Sequence, residues 1–172
     1  MAFTVENGTG LTNANAYASI VQVADYLSSR GDDESWVASN ESSKQVAIIR
    51  ATDYIDNRWG GSFKGTPLLE TQALAFPRSG YLAVLPALLI QATSEYAKRA
   101  LSGHLAVDPI PSVDGVIKRK REKLASLEEE TEYFESSNAQ SSEYPVYPRA
   151  DMLMERLIAL SSYAPSYGST TR

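Results

Sequence analysis

Apolar side chains recur at helical spacing in four stretches of the chain. In the first, Ile20, Val23, Ala24 and Leu27 fall at i, i+3, i+4 and i+7 and make one helical face. Ser19 and Gln22 form a capping box there: the Ser19 side chain accepts from the Gln22 amide, and Gln22 reaches back. With Gly31 as the stop, a helix is predicted over 20–30. Asp32, Asp33 and Glu34 then supply acidic caps for a short turn carrying Trp36 and Val37. Asn40 caps a second helix over 41–58 with the stripe Ile48, Ala51, Thr52, Ile55 and Trp59, widened by Val46 and Ile49. A third helix opens at Pro86, which suits a first helical turn. It carries Leu85, Leu88, Leu89, Ala92, Tyr96 and Ala100 on one side and stops at Gly103. The last spans about 150–162, with Met152, Leu153, Arg156, Leu157 and Leu160 predicted on its inner side.

The segments between are of several kinds. Residues 1–18 are rich in turn formers and predict an extended, mobile arm. Residues 60–85 form a long loop with an apolar middle (Leu68, Leu69, Ala73, Leu74, Phe76), which predicts that it folds back onto the core. Residues 116–134 hold a basic block, Lys118 to Lys123, and an acidic block, Glu128 to Glu132. A single exposed helix would set bases at its start and acids at its end, against the helix dipole. A hairpin turning at Ala125-Ser126 sets Lys123 opposite Glu128, Arg121 opposite Glu130, Arg119 opposite Glu132, Ile117 opposite Phe134 and Lys118 opposite Tyr133. The hairpin is preferred, although Ala-Ser is a poor two-residue turn and Glu122 faces Glu129. The predicted fold is therefore mainly α: a small bundle of about four helices with an inserted β-hairpin and extended N- and C-terminal arms. It divides into a helical domain over 1–134, a flexible Pro- and Ser-rich linker over 135–148, and a C-terminal helix and tail over 149–172.

Composition removes most chemistry. A chain of 172 residues argues for one domain, or one with an appendage. It has no cysteine and one histidine, His104, which excludes disulfides, thiolate metal sites, a Cys nucleophile and a multi-histidine metal site. Secretion is not suggested, and no apolar run approaches the ~20 residues that span a bilayer. The first residues lack a signal peptide's basic start and apolar stretch. Gly60 to Thr66 echoes a phosphate loop only superficially, lacking its glycine–lysine–hydroxyl ending. Asp53 and Asp56 stand at i, i+3, but caps and pairs with Arg50 and Arg58 explain them better than a metal or acid–base role. Trp36 and Trp59 could stack bases, yet both fit apolar faces and read as core. No enzyme activity and no cofactor are expected. A net charge of −5 gives no global field to gather nucleic acid.

Several segments together form a family pattern. They are Val5-Glu6-Asn7-Gly8-Thr9-Gly10-Leu11 with Ala14 to Tyr17, Ala24-Asp25-Tyr26 before Arg30-Gly31, Trp36, Ile49 to Asp56, and Thr71 to Gly80. The chain resembles the DnaT-like domain family of tailed-phage proteins over roughly residues 4–134. The resemblance implies a helical bundle with a β-hairpin and a structural virion role, as a head–tail connector (adaptor) subunit in the phage neck. It further implies a homo-oligomeric, usually twelvefold ring contacting the portal protein and tail or neck proteins, with genomic DNA passing through the lumen. The location would be the virion neck, reached from the host cytoplasm during assembly, with no membrane contact. On that reading Arg119, Arg121, Lys123, Glu128, Glu130 and Glu132 pair between subunits, and Tyr163, Tyr167 and Arg172 of the tail touch the portal. The alternative that the family label offers is a single-stranded-DNA-binding replication protein, against which the acidic balance argues.

Overall fold

The computed structural model describes residues 2–81, 85–106, 116–123, 128–134 and 145–160, the side chains of 116–123 and 128–134 excepted. The chain divides into two compact units, Met1–Ala106 with Pro145–Arg172, and Val107–Tyr144. Among its described residues the first unit holds five helices: α1 (Ile20–Ser28), α2 (Glu34–Ala38), α3 (Glu41–Trp59), α4 (Ala87–Ala100) and α5 (Pro148–Leu160). Their starts follow the local signals. The Ser19–Gln22 capping box is formed in both directions, and the Asn40 side chain accepts from the Ser43 amide. Pro86 stands one place earlier than expected, as the residue before α4.

Helix α4 is the centre, packing against α3, α5 and α1. Leu89, Ala92, Tyr96 and Ala100 are buried, as are Thr93, Ser94, Glu95 and Ala97, so burial extends almost around the helix. Thr93 and Ser94 tolerate this because each hydroxyl donates to the carbonyl four residues back, at 2.8 Å. Trp36, Tyr17, Phe76, Leu27, Ile48 and Ile55 fill the rest of the core.

The N-terminal arm is extended but not loose. Glu6 and Ala16 bond backbone to backbone, and Ala16, Tyr17 and Ala18 are wholly buried. The Glu6 carboxylate accepts from the amides of Gly8, Gly10 and Leu11 at 2.7, 3.0 and 2.9 Å, closing the glycine-rich turn around one buried charge.

The inner face of α5 differs from the one expected. Ala150, Asp151, Met154 and Leu157 are buried, while Met152 and Leu160 are each 61% exposed and Arg156 is exposed. The physical reason is Asp151. Its carboxylate takes Arg58 Nη2 at 3.0 Å, the Tyr96 hydroxyl at 2.5 Å and the Tyr147 amide at 3.0 Å. That turns α5 so that a polar residue faces inward.

Among its described residues the first unit has no strand, only the isolated bridges Val5↔Ala16 and Pro67↔Arg78. The bundle expectation therefore holds in its helical part, and this unit gives no support to a hairpin inserted into it. In the second unit, taken by itself, the backbone runs β1 (Val116–Lys123) and β2 (Glu128–Phe134) are paired antiparallel. There Ile117 stands opposite Tyr133 rather than Phe134, because the register shifts between Ile117 and Arg119.

Candidate nucleic-acid interface

The segments that make the chain recognisable are architectural. Thr52 Oγ1 accepts from the Tyr17 amide at 3.2 Å. Asp56 takes the Tyr17 hydroxyl at 2.5 Å and the Ala75 amide at 2.9 Å, and the same hydroxyl accepts from the Phe76 amide at 3.1 Å. Burial holds the Asp56 carboxyl above the usual carboxylate range, although both bonds favour its charged form. Gln72 donates to the Leu74 and Pro77 carbonyls, and Arg78 to those of Lys64, Gly65 and Ala75. Gly65 sits at φ +70°, where an added Cβ would lie 1.9 Å from the Ser79 carbonyl oxygen. The long loop thus folds back on the core as expected, with Phe76 buried among Tyr17, Phe63 and Tyr81. These side chains are spent on the loop, so ligand contacts must lie elsewhere.

A groove of about 180 Å³ lies between α1 and the outer side of α5, lined by Tyr26, Arg149, Met152, Leu153 and Arg156. No lining residue is acidic. The Tyr26 hydroxyl donates to Glu95 Oε1 at 3.0 Å, which anchors the ring from below. Burial pushes that hydroxyl's pKa up, and the Glu95 charge adds to the effect. Glu95 itself is buried and also pairs with Arg99 at 2.8 Å and Arg149 at 3.4 Å. Arg149 reaches Asp32 at 3.5 Å, and Lys98 pairs with the same carboxylate. The Lys98 hydrogen bond is the main cause that lowers the Asp32 pKa. The Arg149 side chain nevertheless remains 54% exposed. Arg156 is exposed and makes no hydrogen bond or ion pair with any described residue. Beside the groove, the Arg30 guanidinium carbon lies 3.6 Å above the centre of the Tyr26 ring. A second cleft, between α3 and the end of α4, holds Ser42, Ser43, Val46, Arg50, Ala100 and Leu101; it has one charge and no aromatic ring.

The residues singled out from the sequence fall differently. Arg119, Arg121, Lys123, Glu128, Glu130 and Glu132 lie in the second unit, and their side chains are outside the described residues. Tyr163, Tyr167 and Arg172 also lie outside the described residues. Trp36 is core at 1% exposure, and Trp59 packs on the core with its indole N–H on the Tyr96 hydroxyl at 3.1 Å. His104 is exposed beyond α4. Among the described residues no group of three or more His, Cys, Asp or Glu could hold a metal, and no helix is long and apolar enough to cross a membrane. The sequence reading missed Tyr26, Arg30 and Arg149, and it turned Arg156 inward. The available signal was spacing: Tyr26 and Arg30 are i, i+4 at the end of a capped helix, and Arg149 and Arg156 are i, i+7 on one helix.

No curated protein and no solved structure matches the chain. A family model described as "Putative DnaT-like ssDNA binding protein" matches residues 1–171. That description corrects the expectation of a head–tail connector in a virion neck: it names DNA binding, and nothing in it concerns a neck, a portal or a ring. The acidic net charge weighs against the DNA-binding alternative in the sequence, but a charge sum over the chain does not describe the local surface that would meet a polyanion. The match takes in the arm, the five helices and the long loop alike, and the chain belongs to this DnaT-like family.

Proposed function

We propose that this protein binds single-stranded DNA, and that the groove between α1 and α5 is where the strand lies. The observation that carries this reading is the lining of the groove: an aromatic ring, two arginines and two apolar side chains, with no carboxylate among them. Single-strand binders combine basic groups that follow the backbone with flat side chains that accept bases. The family description supports the same reading. The net charge of −5 does not oppose it, since two carboxylates that touch the lining residues are already engaged: Glu95 by Tyr26, Arg99 and Arg149, and Asp32 by Lys98 and Arg149. Arg156, exposed and without an ion pair among the described residues, is the best placed to meet a phosphate.

The test is fluorescence anisotropy with a labelled oligothymidylate at low salt. Micromolar binding is expected, and Arg156→Glu should weaken it by about tenfold, equivalent to about 1.4 kcal/mol. Absence of binding, or an Arg156→Glu variant equal to wild type, overturns the assignment.

A further inference from the structure

Resting on the single-strand reading above, we infer that Arg30 is a base-stacking platform, so that the groove takes an unpaired nucleobase as well as phosphate. The geometry is specific. The guanidinium carbon stands 3.6 Å above the Tyr26 ring centre, which is stacking distance. Arg30 Nη1 donates to the Tyr26 carbonyl at 2.9 Å and to Ser29 Oγ at 3.0 Å, so the head group is held at the end of α1. Tyr26 in turn is held through its hydroxyl by the buried Glu95. The result is a guanidinium seated over an anchored ring, on a residue that is exposed to solvent. Its Nε and Nη2 make no hydrogen bond to any described residue, which leaves donors for a base edge or a phosphate oxygen.

The chemistry follows from this arrangement. Every base has a π face, so a guanidinium plane accepts any of them with little sequence preference. A base inside a duplex already has both faces covered and cannot offer one. Stacking on Arg30 therefore selects single strands, whereas Arg149 and Arg156 supply attraction that any polyanion would satisfy. A lysine at position 30 would keep the charge but lose the plane.

The experiment compares two probes of equal length: an oligothymidylate and an abasic oligonucleotide with the same phosphates and no bases. The variants are Arg30→Lys and, as a phosphate-contact control, Arg156→Ala. Wild type should bind the oligothymidylate at least about fivefold more tightly than the abasic strand. Arg30→Lys should remove most of that preference while leaving affinity for the abasic strand unchanged, and Arg156→Ala should weaken both probes by the same factor. An Arg30→Lys variant that keeps the wild-type preference, or that weakens both probes equally, overturns the platform and leaves the binding reading intact. A wild-type protein that binds neither probe overturns both.

Discussion

Asp56 and Asp151 are both buried in part or whole among aromatic hydroxyls, yet they serve different ends. Asp151 meets the guanidinium of Arg58 and fastens α5. Among the described residues Asp56 meets no cation within ion-pair distance; it holds the loop through Tyr17 and Ala75, so burial dominates and its carboxyl pKa is raised. The folded protein thus binds the Asp56 proton more tightly than the unfolded chain does. Its contribution to stability is fully present below the ordinary carboxylate pKa and is lost as pH rises through the raised one. Urea unfolding of wild type and Asp56→Asn across that window should show the wild type's stability falling relative to the variant as pH increases. A relative stability that is flat or rises with pH would contradict the assignment. At this scale the caps were legible: Ser19, Gln22 and Asn40 each act within three residues of themselves. Asp56 and Asp151 were not, because their partners Tyr17 and Arg58 stand 39 and 93 residues away.

At the scale of elements, the sequence predicts that α5 exists but not which side of it faces in. The residues Met152, Leu153, Arg156, Leu157 and Leu160 make one plausible stripe; Leu153 and Leu157 of it do pack, but the face that packs also takes in Ala150, Asp151, Met154 and Ile158 and leaves out Met152, Arg156 and Leu160. A hydrophobic count favours the first because it places an aspartate outside. The structure chooses the second because α3 and α4 already present Arg58 and Tyr96 to that aspartate. The two methionines separate these faces. Met154→Ala should cost about 3 kcal/mol, in the range for a buried methionine, whereas Met152→Ala should change stability by less than about 0.5 kcal/mol. Chemical denaturation of the two variants checks this, and equal costs would restore the first stripe. The same rotation delivers Arg156 and Met152 to the groove instead of the core.

At the scale of the molecule, a chain of net charge −5 that binds DNA must do so through few contacts. Arg149 and Arg156 give two candidate phosphate partners in the groove. For a single strand, two neutralised phosphates predict that log K falls against log salt with a slope of about −1.4. A salt titration of oligothymidylate binding measures it. A slope near zero would remove the arginines from the interface, and one several times steeper would require a basic surface beyond the groove.

What the sequence determined by itself is what local forces decide. Helix starts follow from side chains that satisfy nearby amides and helix cores from apolar spacing, which act within a few residues; the apolar middle of the long loop shows that it must be covered, though not by what. The absence of cysteine and the single histidine likewise removed thiol and multi-histidine chemistry without reference to shape. Which polar residues lie together is settled by long-range packing. Tyr26 and Arg149 are 123 positions apart and meet because Glu95, buried in α4, binds both. Neither the periodicity nor the charge sum of the chain carries that information, since a buried carboxylate that draws two distant helices to one point becomes visible only when all three elements are packed.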